Sequence, residues 1–155
     1  MRRQDREVLQ PEQIDAIIES CDCLRLGLNA EDGAYIVPLN FAYVPGKPAK
    51  FYFHSAKEGR KVDMIGQGAK AGFELDGAHR LGEAETGCRH TFFYQSVIGT
   101  GTVRPVETLE EKKRALSAIM AHYRKDCAFS FTDEQVDAVA VFCLTAETMS
   151  CKQHS

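Results

Sequence analysis

The chain has 155 residues, 44% of them apolar, with a formal net charge of -3 and a sequence pI near 6.0. That length fits one domain with a sizeable core, and the acidic balance argues against a general nucleic-acid binder, which meets phosphates with a clearly basic surface. No apolar run approaches the roughly 20 residues of a membrane span, and the start at Met1 to Arg6 lacks the apolar core of a signal peptide, so the expected location is the cytoplasm.

Leu9 to Ser20 carries Pro11 near its start and Ile14, Ile17 and Ile18 at helical spacing, which predicts an amphipathic helix. Cys23 to Leu28 alternates, with Leu24, Leu26 and Leu28 on one face, as a half-buried strand does. Asp32-Gly33 signals a hairpin, and Ala34 to Val44 reads as one returning strand with Pro38 inside it. Proline cannot donate to a ladder, so Pro38 marks an edge, a bulge or a place facing something other than a strand. After a turn at Gly46 to Lys50, the aromatic run Phe51-Tyr52-Phe53 is a third strand feeding a short helix over Lys57 to Ile65.

Ala69 to Leu75 is a fourth strand that ends at Asp76-Gly77, and the polar segment His79 to His90 reads as a loop or lid. Thr91 to Val106 is rich in β-formers, with Gly99 and Gly101 marking a bend or bulge. Thr108 with Glu111 forms a capping box for a helix reaching about Lys125, Thr132 with Gln135 repeats the pattern for a shorter turn, and Val139 to Thr145 is a closing strand. About six strands on short turns with three helices predict a mainly β (α+β) domain, a small barrel with peripheral helices.

Six cysteines (Cys21, Cys23, Cys88, Cys127, Cys143 and Cys151) are expected as reduced thiols. A single residue separates Cys21 from Cys23, too close for a zinc hairpin, and Cys88 with His90 is a weak metal pair, so no metal is expected.

The junction after the third strand carries the chemistry. His54, Ser55, Gly59, Arg60 and Lys61 fall within eight residues, at a strand end that runs into a helix start. Free N–H groups at a helix start and the planar fork of arginine both suit phosphate oxygens. The same residues also read as an ordinary solvated basic turn around Glu58.

The start Arg2-Arg3-x-Asp5-Arg6, the stretch Tyr35 to Tyr43 (YIVPLNFAY), the stretch Phe51 to Ile65 (FYFHSAKEGRKVDMI) and Tyr94 to Val103 (YQSVIGTGTV) before an acidic-capped helix together carry a family likeness. In this order and spacing the chain resembles the flavin-binding split-barrel family related to pyridoxamine 5′-phosphate oxidase, within it the Nim nitroimidazole-resistance branch. The resemblance implies a six-stranded split barrel, a homodimer, and flavin mononucleotide (FMN) held at the interface by both chains. Carried onto this sequence, it implies that the FMN phosphate lies against His54, Ser55, Arg60 and Lys61, and the ring along Pro38, Leu39, Asn40 and Phe41. Ser96 is a further implied cofactor contact. His54 is implied to sit beside the pocket as phosphate ligand, proton donor or adduct-forming nucleophile.

The implied activity is electron transfer from a nicotinamide donor to a small, nitroaromatic-like acceptor. No Gly-rich nicotinamide motif is present, so the donor is expected to dock on the ring itself. The pyridoxal-phosphate-binding residues of the true oxidase are not recognisable, which argues against vitamin B6 oxidation. Near the end, Met149-Ser150-Cys151-Lys152 has cysteine where the branch has glycine, which puts a tight turn there in doubt. Two other readings stay open. One is a haem- or flavin-binding carrier, sensor or haem-degrading protein on the same fold, with axial ligands drawn from His54, His79, His90, His122 and His154. The other is a dimeric barrel without a cofactor.

Overall fold

The computed structural model describes residues 3–155, so Arg2 of the N-terminal motif lies outside the described residues. The chain begins with a 3-10 turn at Gln4–Arg6 and then runs β1 (Glu7–Val8), α1 (Pro11–Ser20), β2 (Leu24–Ala30), β3 (Gly33–Leu39), β4 (Ala42–Val44) and β5 (Lys50–Ser55). It continues with α2 (Arg60–Ile65), β6 (Ala69–Gly82), a 3-10 turn at Gly87–Arg89, β7 (Thr91–Pro105), α3 (Leu109–Tyr123), α4 (Asp133–Asp137) and β8 (Ala140–His154).

Hydrogen-bonded neighbours follow the order β3-β2-β6-β7-β8-β5-β4, with β1 added on β8, and all pairs are antiparallel. The two ends of that order are covalent neighbours. Only Asn40 and Phe41 separate β3, which pairs β2, from β4, which pairs β5. The sheet is therefore rolled up, and β3 with β4 forms a single broken stave. Counting that stave once and setting aside the two-residue β1 gives the six staves expected; the eight strands of the sheet arise from the break and from β1. A strand of two residues carries no period, so β1 left no sequence signal.

Alternation decides what goes inside. Leu24, Leu26 and Leu28 on β2, Phe51 and Phe53 on β5, Phe73 and Leu75 on β6, Val97 and Val103 on β7 and Phe142 and Leu144 on β8 are buried in one cluster. Full burial stabilises each such side chain by about 1.5–3 kcal/mol relative to exposure. α1 closes the barrel with Ile17 and Ile18, and α2 adds Ile65. On the outer side of β4, β5 and β8, α3 and α4 build a second cluster from Ala42, Val106, Ala115, Leu116, Ile119, Val136 and Val141. Thr108 caps α3 by accepting from Glu111 N–H, and Thr132 with Gln135 forms a full capping box on α4. Among the described residues the peripheral α-helices thus number four, the predicted short turn after Thr132 being a helix of its own.

Several boundaries differ from the sequence reading. The strand expected over Ala34 to Val44 is broken at Asn40 and Phe41. β6 does not stop at Asp76-Gly77: after an irregularity between Gly77 and Arg80 it pairs with β7 as far as Gly82 and Thr91. The predicted loop from His79 is thereby shortened to residues 83–90, because Leu81 pairs with Phe92, and Arg80 lies over the Phe93 ring at 4.2 Å. β8 runs on past Thr145 to His154. Cys151 sits within that strand, buried opposite Val97 and Val8, so no tight turn is needed there.

The bend anticipated at Gly99 and Gly101 is present. Thr100 faces Thr148 while Gly101 faces Ala146, which leaves Glu147 as an extra residue on β8. A side chain at Gly101 would place its Cβ 2.3 Å from the Thr145 carbonyl oxygen, so the strands approach as closely as they do only because no Cβ is there.

Candidate functional site

The β5–α2 junction is shaped by the pleat of β5. Phe51 and Phe53 point inward, so His54 is turned outward, and Ser55 ends the strand with its hydroxyl donating to the Ala56 carbonyl at 2.7 Å. The chain then crosses residues 56–59 and enters α2 through Gly59, whose φ of +121° suits glycine. α2 has six residues, and no side chain caps its start. Its dipole is correspondingly small, and the anion-binding capacity of the junction rests on side chains.

Two of those side chains act together. Lys61 is half-buried, and burial pushes its pKa below the usual lysine value. Among the described residues it joins no ion pair. The pKa of His54 is lowered first by burial and second by the positive charge of Lys61, although the ring keeps contact with solvent. A partly desolvated ammonium without a carboxylate partner, next to an imidazole, is an arrangement that an anion completes. The residues present therefore fit a phosphate group.

Arg60 is placed differently. Its Nη2 donates to Asp32 Oδ1 at 2.5 Å, and its guanidinium lies 4.8 Å from the Tyr35 ring centre, which ties α2 to the β2–β3 hairpin. Asp32 read in the sequence only as a turn residue, and its role as a partner of Arg60 carried no local signal. Both members of the pair are exposed, so the link is worth little in energy and a phosphate can compete for the arginine.

The break between β3 and β4 brings the second group of candidates to the same rim. The β4–β5 ladder ends at Ala42 and Tyr52, so Asn40 and His54 leave it at the same end. Leu39 and Phe41 are buried in the barrel, whereas Pro38 and Asn40 are exposed. Phe41 thus packs from within. A cleft of 310 Å³ opens here, lined by Asp22, Cys23, Pro38, Leu39 and Asn40. Behind it stand Tyr123, which sequence reasoning missed, and His122, which it named only as a possible haem ligand, because both lie at the far end of α3. Tyr123 accepts from the Phe41 N–H at 3.1 Å and donates to the Asp22 carbonyl at 2.8 Å, while His122 Nε2 donates to the Cys21 carbonyl at 2.8 Å.

Ser96 is not part of this rim in one chain. It pairs with Asp76 on β6 and Lys152 on β8, whereas His54 pairs with Val141. Those partners stand eleven residue steps apart on β8, a path of about 35 Å along the strand. Ser96 shares the outward sheet face with Arg25, which donates to Glu74 and Asp76 at 2.9 and 2.5 Å, and with Ile98, which is 50% exposed.

The other histidines are engaged. His79 contacts Asp76 at 3.0 Å, His90 Nδ1 lies 3.0 Å from the Thr86 carbonyl, His122 is held as above, and His154 Nδ1 lies 3.1 Å from the Phe92 carbonyl. Among the described residues no cluster of three or more His, Cys, Asp or Glu side chains is placed to hold a metal ion. All six cysteines are free thiols, and burial raises Cys21 and Cys151 to about 11. No helix of the described residues is long and apolar enough to cross a membrane.

Residues 10–153 match the family model described as pyridoxamine 5′-phosphate oxidase. The chain belongs to this family. Within it, the chain is similar to the crystal structure of a candidate 5-nitroimidazole antibiotic resistance protein from Bacteroides thetaiotaomicron, with 30% identity and a TM-score of 0.81 over 95% of this chain and 86% of that one. The same fold appears at 15% identity and a TM-score of 0.82 in an FAD and haem binding protein from Mycobacterium smegmatis, over 97% of this chain and 74% of that one. It appears again at 16% identity and a TM-score of 0.79 in a flavocytochrome from Azotobacter vinelandii, over 100% and 72%. No curated protein matches the chain. The oxidase-like split barrel expected from the sequence is thus the fold of this family member.

Proposed function

We propose that this family member binds FMN as a homodimer and works as an oxidoreductase on a small, nitroaromatic-like acceptor. The observation that carries the reading is the half-buried Lys61, without an ion-pair partner among the described residues, beside His54 at the rim where the barrel stave breaks. Lys61 and His54, with Ser55 and a redirected Arg60, would hold the phosphate by charge-assisted hydrogen bonds. Pro38, Leu39 and Asn40 would line the ring, with Asn40 and exposed backbone bonding its polar edge and buried Phe41 backing them from the core. Membership of the family and likeness to a candidate nitroimidazole-resistance protein support this choice over other anions.

The bound flavin would supply two-electron transfer from a nicotinamide donor. The protein's own part is to orient the ring and hold a proton. His54, whose pKa lies below its ordinary value in the free chain, becomes a proton carrier at neutral pH once a phosphate dianion offsets Lys61. Ser96 reaches a cofactor only from a second copy, through the outward face that carries exposed Ile98. Ligation of haem is less well supported, since His79, His90, His122 and His154 already have protein partners.

An absorbance spectrum of the purified protein, before and after FMN addition and desalting, tests the reading. Retained flavin bands at one FMN per chain are expected. A colourless protein, or a Soret band in place of flavin bands, would refute it.

A further inference from the structure

The β2–β3 ladder stops at the pair Leu24 and Leu39, although neither strand ends there by sequence. Continued in register, it would join Cys23 to Asn40 and Asp22 to Phe41. The Phe41 N–H and the Asp22 carbonyl do face each other, but the Tyr123 hydroxyl stands between them, accepting from one at 3.1 Å and donating to the other at 2.8 Å. One side-chain oxygen thus replaces a direct backbone bond and separates the strands by its own width. His122, one residue earlier on α3, grips the same two strands: Nε2–H donates to Cys21 C=O, and the ring packs on Phe41 at 4.5 Å between centres. Only Nε2 as donor satisfies that carbonyl, so the tautomer is set. In the gap so produced lies the 310 Å³ cleft, with Asn40 exposed and Cys23 half-buried on its walls.

We infer that Tyr123 is a positioning residue: its hydroxyl is the wedge that holds the barrel split open and presents Asn40, together with the freed backbone around it, to the flavin ring edge. Its use toward a flavin rests on the function proposed above; the wedge itself does not. A phenylalanine at this position would leave the Phe41 N–H and the Asp22 carbonyl to find each other and draw the strands together, or to remain unpaired. Either outcome changes what the cleft offers.

The test is amide hydrogen exchange on the flavin-free protein, wild type and Tyr123→Phe, followed by titration with FMN. In the wild type the Phe41 amide is protected while that of Asp22, which would donate back to the Phe41 carbonyl in a continued ladder, exchanges freely; a protected Asp22 amide would mean a closed ladder and would overturn the wedge without any variant. In Tyr123→Phe the Phe41 amide exchanges about tenfold faster, as for loss of one net hydrogen bond, or, if the strands close, stays protected while the Asp22 amide becomes protected as well. The Val97 amide, deep in β7, serves as the reference for global loss of fold. FMN then binds about tenfold more weakly, with a shifted visible band. Unchanged exchange at both Phe41 and Asp22 overturns the wedge. Changed exchange with unchanged FMN affinity and band position overturns its role in positioning. A wild type that ignores FMN but shows the expected exchange pattern refutes the proposed function and leaves the wedge standing as a structural device.

Discussion

Replacing Lys61 by methionine separates binding from stability. The side chain keeps its length and loses its charge. In the free protein that charge is partly desolvated and has no carboxylate partner among the described residues, so its removal relieves a cost, and the apoprotein should become no less stable and slightly more so. Toward a phosphate the sign reverses. A hydrogen bond to a charged group contributes about 1.5–3 kcal/mol, which corresponds to a loss of roughly 10- to 150-fold in FMN affinity. Riboflavin has the same ring and no phosphate, so its affinity should be unaffected. The assay is quenching of flavin fluorescence on titration with protein, run for both ligands, beside urea unfolding of the apoprotein. Equal losses for FMN and riboflavin would refute the assignment of Lys61 to the phosphate, as would an unchanged FMN affinity. A variant whose apoprotein is clearly destabilised would refute the claim that Lys61 is an unsatisfied cation.

Three further outcomes are expected. Because His54 titrates below its unfolded value near 6.5, the unfolded chain takes up a proton first as pH falls, so this residue's contribution to apoprotein stability is lost from about pH 6.5 downward until the folded pKa is passed. Urea midpoints between pH 5 and 8 should fall less steeply for His54→Gln; parallel profiles would argue against the shift. Gly99→Ala would put a Cβ 2.3 Å from the Thr148 carbonyl oxygen and 2.4 Å from the Phe73 ring, and should cost at least about 1–3 kcal/mol in urea unfolding; a neutral result would show that β8 can give way there. Ile98→Asp, on the outward face beside Ser96, should yield monomers by light scattering and abolish FMN retention; a dimer that keeps its flavin would place the interface elsewhere.

The staves were legible wherever side chains alternate, as in Leu24 to Leu28 and Phe51 to Phe53, and the caps at Thr108 and Thr132 were legible because capping is local chemistry. The extension of β6 was not. Arg80, Leu81 and Gly82 have no strand signature of their own, and they pair because Phe93, Phe92 and Thr91 on β7 offer partners. The broken stave was visible only as Pro38, while the break itself falls two residues later, where an α3 side chain 82 residues away takes the Phe41 N–H. In the candidate site, the proximity of His54 and Lys61 could be read from a strand running into a turn. The engagement of Arg60 with Asp32 and Tyr35 could not, since it depends on how α2 docks against a distant hairpin. Nor could the distance of Ser96 from the rim, which follows from strand order.

β8 pairs with β1, β5 and β7, and it is the last strand of the described chain. During synthesis β5 therefore emerges with only the three-residue β4 to pair with, and His54 hangs on a ribbon whose other edge stays bare for some 85 residues. Contacts across such separations form late and slowly. The rim that holds His54 and Lys61 thus cannot be assembled on a nascent chain that has not yet delivered Ala140 to Thr145. Whatever anion this protein carries is acquired only once β8 has been made, and a chain truncated within β8 would lose its site and its barrel together.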